Sequence, residues 1–267
     1  MREFLRRSLT GVIYVVLLLS AVFLSTDAYD FLFMAFGLGC IYEFKRMVRI
    51  KGYYIFMAYL LIWWLFIYFL EDTLLVNILM AITLAVDLAL LAYLFSPQQR
   101  SFNQVQKFLI ALIYIGGGCI FLTKIPYNND VFAKYLITGI FILIWVNDTF
   151  AYVVGKLLGR TKLYPEISPK KTVEGSLGGL VFALGAAYLI SIYVDILNAK
   201  NWLILALVVV IMGSLGDLLE SKFKRVAGVK DSGAILPGHG GILDRLDSLL
   251  FAAPFAYFTL KLILYVS

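Results

Sequence analysis

The chain has 267 residues, of which 62% are hydrophobic, 16% aromatic and only 15% charged, with a formal charge of +6. A soluble domain of this length has no interior large enough to hide so much apolar surface, so the composition excludes an ordinary globular protein and points to a polytopic membrane protein. The modest positive charge does not mark a nucleic-acid binder; the Lys and Arg residues read instead as orientation signals and as partners for anionic headgroups or phosphates.

Apolar runs of spanning length recur near Leu9–Leu24, Ala28–Phe44, Tyr53–Leu70, Leu74–Phe95, Phe108–Thr123, Tyr135–Gly155, Leu177–Val194, Trp202–Leu219 and Ser248–Val266. The expected fold is therefore all-α, a multi-pass integral membrane protein of about nine transmembrane helices. The charge asymmetry places the N-terminus in the cytoplasm and the C-terminus outside. With that orientation, only Lys124, Lys134, Lys200 and Lys261 of the Lys and Arg residues fall on the outer side. No small-residue cleavage site follows the first apolar run, which reads as an uncleaved helix. Cys40 and Cys119 sit inside apolar runs without metal-ligand spacing and read as small buried hydrophobes.

Residues 1–125 are chemically quiet and read as a scaffold of about five lipid-facing helices. Asp87, in the middle of LAVDLALL, is a deep carboxylate expected to be protonated or paired with a neighbouring helix. Gly116-Gly117-Gly118 predicts close helix approach or a kink. No Walker-type loop, dinucleotide fingerprint or inverted repeat is present.

Residues 126–267 change character and read as the catalytic region. In the sixth helix Asn147 and Asp148 lie at membrane depth, and Asp148, Ala151, Tyr152 and Gly155 share one face at i, i+3, i+4 and i+7. The next stretch, ISPKKTVEGSLGGL, predicts a turn at Ser168-Pro169, two ammonium groups at Lys170 and Lys171, and a helix opening at Glu174-Gly175-Ser176. Lysines beside a helix N-terminus make an anion site. The longest polar passage, Gly213–Ser248, places Asp217, Glu220, Ser221 and Lys224 on one helical face. It then runs through Arg225, Lys230 and Asp231 to the turn Pro237-Gly238-His239-Gly240-Gly241, whose glycines allow close approach to a phosphate. Asp244, Arg245 and Asp247 open the last helix.

This mixture suits chemistry on phosphates. Mg²⁺ takes one or two carboxylates together with substrate phosphates and waters, and Asp217 and Asp244, on two helices, are the candidate ligands. Lys170, Lys171, Arg225, Lys230 and Arg245 would neutralise phosphate oxygens. A phosphomonoester nucleophile is already largely ionised near neutrality. His239, the single histidine, is therefore expected to contact phosphate or hold structure rather than act as a base.

The runs Ser221–Arg225, Lys230-Asp231-Ser-Gly and His239-Gly-Gly-Ile-x-Asp244-Arg245-Leu-Asp247 resemble the signature of phosphatidate cytidylyltransferases (CDP-diacylglycerol synthases). The Asn147–Gly155 and Ser168–Gly175 segments resemble further motifs of that family. The likeness covers roughly residues 145–250, with no departure at the signature positions. It implies transfer of CMP from CTP to phosphatidate, releasing pyrophosphate and forming CDP-diacylglycerol at the cytoplasmic face of the cell's inner membrane. It implies a Mg²⁺ site at Asp217 and Asp244, allows a second cation such as K⁺, and allows a homodimer. The implied reacting set is Asp217, Asp244, Lys224, Arg225, Lys230, Asp231, His239 and Arg245. The implied substrate-binding set is Asn147, Asp148, Ser168, Lys170, Lys171, Thr172, Glu174, Ser176, Glu220, Ser221, Gly240, Gly241 and Asp247. A CTP-dependent polyprenol or lipid kinase would share the nucleotide site but would need a base for its alcohol. A transporter would spread charges across the membrane depth and the outer loops, which are bland here.

Overall fold

A computed structural model describes residues 2–70, 74–96, 102–128, 131–235 and 240–266. In chain order the elements are α1 (Arg2–Leu24), α2 (Thr26–Val48), α3 (Tyr54–Trp64), α4 (Leu74–Phe95), α5 (Gln104–Ile110) and α6 (Gly118–Lys124), then β1 (Tyr127–Asn128) and β2 (Val131–Phe132). After these come α7 (Lys134–Leu158), β3 (Lys162–Tyr164), β4 (Ser168–Thr172), α8 (Val173–Tyr193), α9 (Ala199–Ala227) and α10 (Leu243–Val266). Helix α3 runs on into a π-helical stretch, Leu65–Phe69, and a second π-helical stretch, Ala111–Gly117, joins α5 to α6. Each predicted apolar segment therefore coincides with one helical rod. Among the described residues, six are both long and apolar enough to cross a membrane: Leu74–Phe95, Gln104–Lys124, Lys134–Leu158, Val173–Tyr193, Ala199–Ala227 and Leu243–Ile263. The chain is an all-α membrane protein whose strands form two small antiparallel hairpins, β1–β2 and β3–β4.

Polar residues end these rods where the sequence changes. The Ser25 and Asn198 side chains accept from the N–H groups of Ala28 and Asn201, capping α2 and α9. Asn103 and Gln106 form a reciprocal capping box on α5. Gly228, at φ +72°, closes α9 in the left-handed conformation that glycine adopts without strain. Burial then ranks the rods. α10 has 67% of its apolar window buried and is central, whereas α8 has 22% and lies on the periphery.

The Gly116–Gly118 run serves close approach and a change in helical winding together. A Cβ at Gly118 would stand 2.5 Å from the Leu250 carbonyl oxygen of α10, and one at Gly117 would stand 2.7 Å from the Thr83 hydroxyl of α4. The seam between α7 and α8 is built the same way. A Cβ at Gly175 would lie 2.6 Å from the Ala151 carbonyl oxygen, and one at Gly179 would lie 2.6 Å from Asn147 Oδ1. Gly175→Val is therefore expected to overpack the seam and cost about 1–3 kcal/mol, read as a lower midpoint of thermal unfolding in detergent.

One local expectation is corrected. The turn falls at residues 165–167, and Ser168-Pro169 begin strand β4, with Ser168 opposite Tyr164. Proline is tolerated there because a two-stranded hairpin leaves outward N–H positions with no partner to lose.

Candidate active site

A cavity of about 940 Å³ opens at the end of the bundle where α7 finishes, α8 and α10 begin and α9 reaches its last turns. The predicted face of α7 lines it in full: Asp148, Ala151, Tyr152 and Gly155. Strand β4 and the start of α8 contribute Lys170, Lys171, Thr172 and Ser176. Asp217 and Lys224 enter from α9, Asp231 from the loop, and Asp244, Arg245 and Asp247 from α10. Thus residues separated by about a hundred positions in sequence meet in one chamber.

The charges inside it are interleaved. Lys171 Nζ pairs with Asp217 Oδ2 at 2.5 Å, and Ser221 Oγ donates a long 3.4 Å bond to Asp217 Oδ1. Lys224 bridges Glu220 and Asp244, with its Nζ 2.7 Å from Asp244 Oδ1. Asp244 Oδ2 accepts from the Ser232 N–H and hydroxyl, each at 2.9 Å, and from the Gly241 N–H at 2.7 Å. Asp247 Oδ1 accepts from the Ser248 N–H at 2.7 Å. Asn147 Nδ2 reaches Asp148 Oδ1 at 3.3 Å, while the Asn147 Oδ1 atom is buried without a hydrogen-bond partner. Asp148 and Asp247 both feel the negative charge of Asp217. The result is a carboxylate-rich wall facing a lysine-rich hairpin.

Other predicted site residues stand behind the chamber wall. Glu220 and Ser221 are buried beside Lys224 and Asp217 rather than lining the cavity. Arg225 Nε donates to the Ile167 carbonyl at 3.1 Å and so ties α9 to the β3–β4 turn. Glu174 accepts from the Arg160 and Thr161 N–H groups at 3.0–3.1 Å, fixing the end of α7 against α8. Thr172, itself in the cavity wall, also caps α8, its hydroxyl accepting from the Gly175 N–H. Gly240 and Gly241 wrap the Asp244 carboxylate; Gly240 takes φ +83°, and a Cβ there would lie 2.7 Å from Asp244 Oδ2. Ser168 and the exposed Lys230 do not line the cavity. His239 lies outside the described residues.

Several wall residues carry no signal in the sequence. Lys156 and Lys162 line the cavity although they read as ordinary cytoplasmic lysines. Tyr14 does so from α1, its hydroxyl donating to the Arg245 carbonyl at 3.3 Å, with Gly11, Val15, Ile144, Trp145 and Leu249 forming an apolar flank. The quiet first half is thus part of the chamber. Lys222, equally charged, plays no part in it; its Nζ donates to the carbonyls of Tyr93, Leu94 and Ser96 at 2.6–3.1 Å and closes the end of α4.

Oxygen donors of this kind suit a hard divalent cation. Among the described residues no three Asp, Glu, Cys or His side chains stand together as a complete metal cage. Asp217 projects into the chamber with one weakly engaged oxygen. Asp244 Oδ2 is fully engaged, so its Oδ1, shared with Lys224, is the oxygen left for a metal.

The chain is similar in sequence to known proteins. A model of the cytidylyltransferase family matches residues 5–263. A Bacillus subtilis (strain 168) protein named phosphatidate cytidylyltransferase is 39% identical over 266 residues, covering 96% of this chain and 97% of that protein. A Staphylococcus saprophyticus protein of the same name is 44% identical over 174 residues, 64% of this chain and 65% of its own length. One from Staphylococcus haemolyticus is 42% identical over 181 residues, 67% of this chain and 68% of that protein.

Proposed function

The chain belongs to the cytidylyltransferase family, and from that premise we propose that it transfers CMP from CTP to phosphatidate, forming CDP-diacylglycerol and pyrophosphate. The observation that carries the reading is the chamber itself. Its lysine-rich hairpin suits a triphosphate, its carboxylate wall suits a divalent cation, and its apolar flank at Val15, Ile144, Trp145 and Leu249 suits acyl chains. A lipid phosphate and a water-soluble nucleotide meet at one membrane face.

In this reading a phosphate oxygen of phosphatidate attacks the α-phosphorus of CTP, a new P–O bond forms, and the bond to the bridging oxygen breaks to release pyrophosphate. The nucleophile is already largely ionised, so no side chain is required to take a proton. Lys170, Lys171 and Arg245 hold and neutralise phosphate oxygens, where positioning and charge stabilisation carry most of the catalysis. Asp217, with Asp244 through Oδ1, would hold Mg²⁺, which when bound supplies positive charge to the phosphates. Lys224 keeps Asp244 oriented, and Tyr14 and Tyr152 narrow the chamber and limit water.

All nine rods cross the inner membrane in this proposal, with the N-terminus and the chamber on the cytoplasmic side and the C-terminus outside. The Lys and Arg bias supports that orientation.

The test is transfer of label from α-³²P CTP into phosphatidate in detergent, with and without Mg²⁺. Label in the lipid phase that requires phosphatidate and Mg²⁺ is the expected result. Transfer from γ-labelled CTP alone would replace this reading with a lipid kinase, and transfer of neither label by folded protein would remove the enzyme assignment.

A further inference from the structure

Glu43 lies in α2, inside a helix end (Glu-Phe-Lys-Arg) that reads as an ordinary cytoplasmic boundary. Its side chain is only 1% exposed and does not line the cavity. It reaches across the bundle instead. Its Oε2 accepts from the Leu243 N–H at 2.9 Å and lies 3.1 Å from the Ser232 hydroxyl. That hydroxyl also lies 2.9 Å from Asp244 Oδ2, so its single proton is shared between two carboxylates. The Glu43 carboxylate sits so close to the loop backbone that a Cβ at Gly233 or Gly241 would collide with it.

We propose that Glu43 is a positioning residue for the reaction, anchoring from the first half of the chain both the loop that carries Asp231 and the helix start that carries Asp244 and Asp247. The physical reason is burial. A carboxylate removed from water gains most from the donors that reach it; the described donors come from the loop (Ser232) and from the first turn of α10 (Leu243), both on Oε2, while Oε1 is buried without a hydrogen-bond partner. Loop and helix start are thereby locked to α2 and to each other. Chemistry that depends on orientation within a fraction of an ångström is sensitive to such supports. The inference rests on the cytidylyl-transfer reading for its kinetic arm only.

The experiment compares Glu43→Ala, Glu43→Asp and Glu43→Gln with the parent. Glutamine keeps an oxygen at full reach for both donors, whereas Asp and Ala withdraw it. Glu43→Ala and Glu43→Asp are expected to lose about 10–100-fold in turnover, as outer supports of reacting groups typically do, with less change in KM for CTP because the lysine hairpin is untouched. Glu43→Gln is expected to keep most of the parent's turnover. Trypsin cleavage after the exposed Lys230 in the folded, detergent-solubilised protein is expected to be more than about tenfold faster in the Ala and Asp variants, because the Ser232 bond no longer ties the loop, nor the Leu243 bond the helix start beside it, to a buried carboxylate. Parental turnover in Glu43→Ala, equal damage in Glu43→Gln, or unchanged cleavage would each overturn the proposal. If Glu43→Ala does not fold, Glu43→Asp carries the same proteolytic test, with faster cleavage supporting the anchor and parental cleavage overturning it. A parent that transfers no label would remove the functional reading while leaving proteolysis to judge the anchor.

Discussion

Asp217→Asn is expected to lower the initial rate of label transfer from CTP to lipid by about a hundred- to a thousandfold. The residue sits where three requirements meet. It projects from α9 into the chamber, it pairs with Lys171 of the β4 strand, and its side chain keeps 34% exposure, so an incoming group has access to it. Replacing the carboxylate by an amide keeps the volume and removes the charge that Lys171 and a divalent cation would both use. The fold is expected to be spared, because partly exposed ion pairs contribute little to stability. Initial rates over a Mg²⁺ titration, beside thermal unfolding of the same preparation, make the check. A near-parental rate would exclude Asp217 from the reaction. A fall in the unfolding midpoint large enough to account for the lost rate would assign it a structural role.

Asp244→Ala is expected to abolish transfer and also to destabilise the protein by about 3–5 kcal/mol, the usual consequence of removing one partner from a buried ion pair. Its side chain is 8% exposed and Lys224 is 12% exposed. Truncation leaves the Ser232 and Gly241 N–H groups without their acceptor, as well as leaving Lys224 to Glu220 alone. The contrast with Asp217 is the informative part. One carboxylate is open to the chamber; the other is embedded in protein donors, with only the oxygen it shares with Lys224 left for an incoming cation. Thermal unfolding of the two variants in one detergent separates them, and equal midpoints would contradict the difference in their surroundings.

Much of this architecture is legible in the linear chain because bilayer thickness and helical rise set the length of apolar segments. Each predicted apolar segment falls on a helical rod. The face of Asp148, Ala151, Tyr152 and Gly155 was also readable, since helical periodicity alone puts those residues on one side, and all four line the chamber. Local periodicity has no bearing on which side chains then become supports. Asp217 and Glu220 share a helical face, yet one enters the cavity and the other is buried behind it. Gly240 and Gly241 allow a backbone to approach an anion, but the anion they approach is the protein's own Asp244. Lys222 and Lys224 look alike in sequence; one caps α4 and the other bridges two carboxylates.

The sequence by itself determined an all-helical membrane protein, the approximate limits of its rods and the stretch that carries its polar chemistry. These follow from the cost of placing polar groups in hydrocarbon, which is paid residue by residue. Only the tertiary structure decided that α1 and α2 reach this end of the bundle, through Tyr14 in the cavity wall and Glu43 behind the loop. Hydrogen bonds that join positions about two hundred residues apart leave no periodicity behind, because their partners are chosen by packing after the helices exist.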